Sequence, residues 1–441
     1  VSSAAAARYR LAAGGAIAGT LAVPGDKSIS HRALMLGAIA EGETRISGFL
    51  NGADCLATAG ALAALGVRIG WPGATEVRVQ GVGARGLTPA AGALDMGNAG
   101  TAMRLMMGLL AAQPFGSTLI GDASLMRRPM ERVAAPLRSM GALIRTREGR
   151  PPVEIEAARA LRAIQYPLPV ASAQVKSALL LAALSAQGRT CLTEPAPSRD
   201  HTERMLRAFG VQVVKQGAAL ALEGGQALRG THIEVPGDFS SAAFFLVAGC
   251  LAAERPLVLT NVGINPTRTG LLQILQQMGA DIRIRQRPPP AGDDAEPVAD
   301  LEVRRSALHG ITVPPALVPL AIDEFPIFFI AAACARGESV VRGAAELRVK
   351  ESDRLAAMAA GLTVLGVENQ LLPDGLWLRG ADALGGGVLD SRGDHRIAMA
   401  FAIAALRART PLEILDVANV ATSFPGFVEL ARAAGLQIEL I

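Results

Sequence analysis

The side chains best suited to chemistry in this chain stand at turns that run into apolar segments. PGDKSISHR, from Pro24, offers Lys27, Ser28 and Arg32. GNAGTAMR, from Gly97, offers the donors Asn98 and Thr101, a glycine at Gly100 where a ligand can approach the backbone, and Arg104. RRPMER supplies Arg127, Arg128 and Arg132; SAQVKS supplies Ser172, Gln174 and Lys176, suited to hydroxyl and phosphate contacts; PSRD supplies Ser198 and Arg199. Later in the chain, IDEFP presents Asp323 and Glu324 ahead of an apolar run, RVKESDR groups Arg348, Lys350, Glu351 and Arg354, and GDHR gives Asp394, His395 and Arg396. Cations beside the exposed N–H groups of a helix start make anion sites. Carboxylates among those cations add proton transfer, so the set calls for a polyanionic substrate.

Each motif alone also fits something plainer. PGDKSIS reads as a helix capped by Ser28, IDEFP as another capped helix, and RRPMER as a solvated basic patch. On a helix Glu351, Lys350 and Arg354 share a face, which would also suit a surface salt-bridge ladder. Recurrence argues for more. Six copies of a two-part pattern run along the chain with a period of about 70 residues. The first part is a polar turn entering an apolar helix; the second is a helix that ends at glycine and passes into a strand. The six turn glycines are Gly66, Gly141, Gly210, Gly279, Gly366 and Gly435.

Segments such as TRISGFL, EVRVQGVG and VEIEA alternate or carry β-branched residues, as half-exposed strands do. Helices are therefore expected inside and sheets outside, the reverse of a doubly wound sheet. Three copies precede Val235 and three follow it. The expected domains are residues 24–235, and residues 1–23 with 236–441. The strand-like RYRLAAG should pair in the second half, and the Pro-rich stretch from Arg285 reads as a loop.

Composition narrows the classes. The chain has 441 residues, half of them apolar, with a net charge of +4 and only 4% aromatics, which argues against nucleic acid as a partner. Mean hydropathy is +0.33, yet the apolar runs fall short of the roughly 20 residues a membrane span needs. The Ala-rich start has no signal-type run. The four cysteines lack CxxC spacing, so buried thiols in the cytoplasm are expected. No HExxH, His/Cys cluster or GxSxG occurs, so no metal is expected. GVGARG, from Gly81, matches a dinucleotide fingerprint but lacks a following helix and reads as a turn; GDKS, from Gly25, lacks the upstream glycine of a P-loop. Only Lys27, Lys176, Lys215 and Lys350 are lysines, and three of the four stand in motif segments. Unlike arginine, lysine can tune its pKa and exchange protons.

Taken together, PGDKSISHRALML, GNAGTAMR, RRPM, RVKESDR and GDHRIAM resemble the signatures of the 5-enolpyruvylshikimate-3-phosphate (EPSP) synthase family, from Pro24 to the C-terminus. The resemblance implies an α/β two-domain inside-out barrel built from six β-α-β-α-β-β units. It implies transfer of the enolpyruvyl group of phosphoenolpyruvate to shikimate 3-phosphate, with no cofactor, by a monomer. Carried over by motif, Lys27, Ser28, Arg32, Ser172, Ala173, Gln174, Arg199, Asp323 and Lys350 would bind shikimate 3-phosphate. Lys27, Asn98, Gly100, Arg128, Gln174, Arg354 and Arg396 would bind phosphoenolpyruvate. Lys27, Asp323 and Glu351 would be catalytic, with Asp323 as base and Glu351 as proton donor. The two halves would close on the substrates, as scattering with shikimate 3-phosphate could test.

Leu105, Ala173, Arg199 with His201, and Thr422 depart from the better-known form and fit the branch called class II. That branch often has alanine where this chain has Gly100, and the glycine implies a glyphosate-sensitive site. Three rivals remain at this point. A UDP-N-acetylglucosamine enolpyruvyl transferase would carry a cysteine acid that GDASLMRRPM lacks; an RNA 3'-phosphate cyclase would use a histidine such as His395 and leave RVKESDR idle. A non-catalytic anion-binding protein would leave Asp323 and Glu351 unexplained.

Overall fold

A helix that is apolar on every side is stable only when surrounded. In the computed structural model, which describes residues 7–157, 160–288 and 295–441, six largely apolar helices form the interior of two compact units. Unit 2 comprises Gly25–Pro236 with Pro289–Glu296; unit 1 comprises Val1–Pro24, Gly237–Pro288 and Pro297–Ile441. The Ala-rich start at residues 1–6 and the centre of the Pro-rich stretch, residues 289–294, lie outside the described residues.

The inner helices of unit 2 are Lys27–Ile39, Gly100–Leu110 and Ala173–Ala183, and those of unit 1 are Phe239–Ala252, Phe325–Ala333 and His395–Ala404. Every residue of Phe239–Ala252 and of Phe325–Ala333 is buried. Each unit has its own apolar core around its three helices. Strands alternate between buried and exposed residues, as in Glu41–Ser47 and Arg150–Ile155, so the sheets form the outer layer.

The three sheets of unit 2 share one design. A parallel edge strand comes first, then two antiparallel pairings. The orders are His232–Glu234, Glu41–Ser47, Val77–Val82, Arg68–Gly70; then Leu94–Asp95, Ser117–Ile120, Arg150–Ile155, Ile144–Arg147; then Gln165–Pro167, Arg189–Thr193, Ala219–Glu223, Val213–Gln216. The strand His232–Glu234 returns to the first sheet and closes the ring of three repeats.

Unit 1 completes two of its sheets with N-terminal strands. Ile17–Ala22 is the parallel edge beside Ala253–Gly263. Tyr9–Leu11 lies antiparallel between Leu412–Leu415 and Ile438–Leu440, so the RYRLAAG segment pairs as its pattern predicts. The middle sheet has only three strands, Glu338–Val341, Gly375–Arg379 and Asn369–Leu372. Its missing edge is reduced to isolated bridges at His309 and Thr312, because Pro314 and Pro315 follow at once and cannot donate to a ladder.

Where the outer helices end, glycine is required. Gly66, Gly141, Gly210, Gly279, Gly366 and Gly435 all have φ between +74° and +116°. That left-handed geometry ends a helix and aims the chain into the next strand. GVGARG is a turn after the strand Val77–Val82, with Gly86 N–H donating to the Gly83 carbonyl at 3.2 Å.

Two substitutions in unit 1 separate backbone strain from crowding. At Gly366, φ is +74° and an added Cβ meets nothing within 4 Å; at Gly435, φ is +116° and the Cβ would lie 2.4 Å from the Ala16 carbonyl oxygen. Gly366→Ala is expected to destabilise by about 1–2 kcal/mol and Gly435→Ala by more. Urea unfolding followed by Trp377 fluorescence, in a Trp71→Phe background, checks the order.

Candidate active site

In unit 2 the three inner helices begin at the motifs that carry cations. Asp26, not Ser28, caps the first of them: its carboxylate accepts from Ile29 N–H at 2.9 Å. Both residue types cap well, but it is Asp26 that takes the extended backbone of a cap. Ser28 lies inside the helix, and its carbonyl accepts from Arg32 Nη1 at 2.9 Å. Lys27 reaches Asp54, with Nζ 2.9 Å from Oδ2. Arg32 is only 4% exposed; its Nε donates to Thr202 Oγ1 at 2.7 Å and its Nη2 to Ser177 Oγ at 2.9 Å. Burial pushes the Arg32 pKa down to about 10, against the carboxylates of Glu203 and Asp26, which favour the charge. His31 is driven down to about 3 by burial and by Lys27 and Arg32, so it is neutral and is not a switch near neutral pH.

The second helix start gathers a tighter group. Arg128, though in the RRPMER patch, is buried and donates to the Asn98 carbonyl at 3.2 Å, to the Asn98 side-chain oxygen and to Ser124. Arg127 is exposed, as a solvated patch residue would be. Asn98 in turn donates to Asp122 at 2.7 Å. Arg104 donates to Gln174 Oε1 at 2.8 Å and to the Pro129 carbonyl at 3.0 Å, and Gln174 donates to Thr101 at 2.9 Å. Gly100 opens the first turn between these guanidinium groups. A Cβ there would sit 2.9 Å from Arg128 Nη1 and 3.4 Å from Arg104 Nη1. The third helix, Ala173–Ala183, is capped by Ser172, and Arg199 is half-buried on a separate loop.

A second expectation fails in this unit, after the Ser28 cap. Lys176 does not face a ligand: it has no exposed surface and is held by Glu194 and Glu203. A lysine on a helix whose neighbours are apolar all round is carried into the core, where it must be paired.

In unit 1 the carboxylates and cations converge on one guanidinium. Arg354, 1% exposed, donates through Nε to Asp394 Oδ2 at 2.8 Å and through Nη2 to Glu351 Oε2 at 2.6 Å. Its Nη1 stands 3.5 Å from Asp323 Oδ1, and Lys350 Nζ stands 3.5 Å from the same oxygen. Burial opposes the charge on Arg354, but Asp394, Glu351 and Asp323 outweigh it and raise the pKa. Arg396 donates to the Asp323 carbonyl at 3.0 Å and lies 3.6 Å from Glu324.

The shared helical face expected for RVKESDR is not what brings these groups together. The helix Arg354–Val364 starts only at Arg354, capped by Asp353, and Lys350 and Glu351 lie ahead of it. Arg348 is a loop clamp instead, donating to Asp353 and to the carbonyls of Pro373 and Leu372. IDEFP is likewise no side-chain cap; Glu324 is buried and accepts from Ser240. Sequence reasoning singled out Arg104 and Asp394 without finding their partners, and it missed Asp54; Asp394 is fully buried and caps its helix by accepting from Arg396 N–H. An Asp at the start of an apolar helix was the available signal for Asp394.

The chemistry-bearing ends are the helix N-termini. A cavity of about 900 Å³ at the C-terminal ends of two unit 2 helices, lined by Ile39, Glu41, Leu184 and Gln226, contains none of the expected ligand residues. No His/Cys/Asp/Glu group fit to hold a metal occurs among the described residues. No described helix is long and apolar enough to cross a membrane. None of the four cysteines forms a disulfide, and GDASLMRRPM carries no thiol.

Comparison with known proteins agrees with this arrangement. Residues 11–430 match the family model described as EPSP synthase (3-phosphoshikimate 1-carboxyvinyltransferase). A 3-phosphoshikimate 1-carboxyvinyltransferase from Alkalilimnicola ehrlichii is 59% identical over 98% of this chain and 96% of its own length. One from Methylococcus capsulatus is 58% identical over 97% of each. Among solved structures, an EPSP synthase from Acinetobacter baumannii matches with a TM-score of 0.87 at 52% identity, over 99% of this chain and all of the other. The enolpyruvyl transferase NikO from Streptomyces tendae shares the fold at a TM-score of 0.78 with 17% identity, over 99% of both chains. With its inside-out architecture, its cations at helix starts and these relatives, the chain belongs to the EPSP synthase family of enolpyruvyl transferases.

Proposed function

We propose that this chain transfers the enolpyruvyl group of phosphoenolpyruvate to the 5-hydroxyl of shikimate 3-phosphate and releases phosphate. The observation that carries the reading is the cluster in unit 1. Two carboxylates, Asp323 and Glu351, share one buried guanidinium with Asp394, next to Lys350 and Arg396. Offsetting a buried cation accounts for the sealed Asp394, but anion binding alone has no use for two further carboxylates that stay partly open.

Lys27, Ser28, Arg32, Ser172, Ala173, Gln174, Arg199, Asp323 and Lys350 bind shikimate 3-phosphate. Lys27, Asn98, Gly100, Arg128, Gln174, Arg354 and Arg396 bind phosphoenolpyruvate. Guanidinium groups suit its carboxylate and phosphate because their planar fork donates two parallel N–H bonds to a pair of anionic oxygens. Asp323 takes the proton from the 5-hydroxyl, whose oxygen attacks C2 of phosphoenolpyruvate. Glu351 delivers a proton to C3, giving a tetrahedral adduct, and Lys27 steadies the phosphate. Loss of phosphate with a proton from the methyl group restores the double bond as an enol ether. Glu351 needs that proton despite its contact with Arg354; the negative charge of two bound substrates offsets the cations around it. The cytoplasm is the proposed compartment, in keeping with unbridged cysteines, and a monomer the proposed working unit.

Phosphate release from phosphoenolpyruvate should depend on shikimate 3-phosphate. Release with UDP-N-acetylglucosamine in its place, and none with shikimate 3-phosphate, overturns the assignment. Asp323→Asn and Glu351→Gln should each lower kcat by about 10²–10⁴-fold, read in the same assay. Gly100→Ala places a methyl against Arg128 and Arg104. It should raise the inhibition constant of glyphosate by roughly tenfold or more, the scale of one methyl in a fitted site; equal inhibition of both proteins counts against that placement.

A further inference from the structure

Lys176 is the most deeply buried of the four lysines, and the reaction above gives it no role. Its ammonium lies 2.7 Å from Glu203 Oε1 and 2.9 Å from Glu194 Oε2, and it donates to the Ser198 carbonyl at 3.4 Å. Glu194 also accepts from Ser198 Oγ. These contacts grip both ends of the loop 194–200, which carries Arg199. A parallel cross-link lies one residue along. Ser177, next to Lys176, bonds Thr202, next to Glu203, at 2.7 Å. Those two hydroxyls are the ones that accept from Arg32. One ammonium thus ties the helix Ala173–Ala183 to the helix His201–Ala208, and to the loop between Thr193 and His201.

We infer that Lys176 is a positioning residue for shikimate 3-phosphate binding, fixing Arg199 through Glu194 and Ser198 and Arg32 through Glu203 and Thr202. The inference rests on the assignment of Arg32 and Arg199 to that substrate. The network has a further asymmetry. Two carboxylates face one ammonium, and Glu203 Oε2 has no hydrogen-bond partner among the described residues. Removing one negative charge therefore leaves a balanced pair, whereas removing the lysine alone strands two buried carboxylates.

The test is calorimetric titration of shikimate 3-phosphate into the full-length chain and three variants, with thermal unfolding of each. Arg199→Ala probes the ligand assignment. Glu194→Gln keeps the Lys176–Glu203 pair but loosens the loop. The triple change Lys176→Met, Glu194→Gln, Glu203→Gln removes the buried charge without stranding any of it. The expected result is that Glu194→Gln and the triple variant bind about tenfold or more weakly. Neither should lower the thermal midpoint, and KM for phosphoenolpyruvate at saturating shikimate 3-phosphate should hold. If Arg199→Ala binds like the parent, the ligand assignment fails and the inference with it. If Arg199→Ala weakens binding but Glu194→Gln and the triple variant bind normally, the assignment stands and the positioning role is refuted. A lowered midpoint with unchanged binding refutes it too, since the network would then serve stability alone.

Discussion

The constraint on which this structure depends is the burial of helices that have no polar side. Phe239–Ala252 and Phe325–Ala333 offer water nothing, so they must be enclosed by sheets. Enclosure leaves only their ends able to meet a polar ligand. At the N-terminal ends, backbone N–H groups point outward and the helix dipole favours anions. The fold thereby selects which residues can do chemistry. Lys27, Gly100, Ala173 and Arg396 stand in the first turns of inner helices, and so do the bonds that orient them.

Gathering cations at such places has a cost, and the structure meets it with carboxylates. Arg354 is buried among Asp394, Glu351 and Asp323; Lys27 is set against Asp54; Arg268 against Asp238. In a low-dielectric interior a desolvated guanidinium without acceptors would be prohibitive. The acidic groups differ in exposure, however. Asp394 is sealed, holding Arg354 and capping its own helix, whereas Asp323 and Glu351 are partly open. The same counter-charges that make the cations tolerable thus include the two that remain within reach of a substrate.

Local chemistry was legible in the sequence, while the partners of buried charges were not. Six glycines at helix ends announced the repeats because left-handed geometry is costly for other residues. The inward placement of helices followed from apolar runs too short to span a membrane. Cap choice was harder: Asp26 and Ser28 are both good cappers, and only the backbone decides between them. Lys176 looked like a ligand because its motif is polar at one end, but its partners, Glu194 and Glu203, come from a later strand-loop-helix that no spacing rule connects to it. The same holds for Arg354 and Asp394, 40 residues apart. The incomplete edge of the Glu338–Val341 sheet was written in Pro314 and Pro315, but it needs the register to be recognised.

The strand Tyr9–Leu11 sits between Leu412–Leu415 and Ile438–Leu440. During synthesis that early segment has no sheet to join until the last of its neighbours has left the ribosome. Unit 2, whose sheets are complete at Glu234, has no such wait. The order of translation therefore makes unit 2 the first to close its sheets, and leaves an unpaired strand at the N-terminal side exposed to premature association for the longest time.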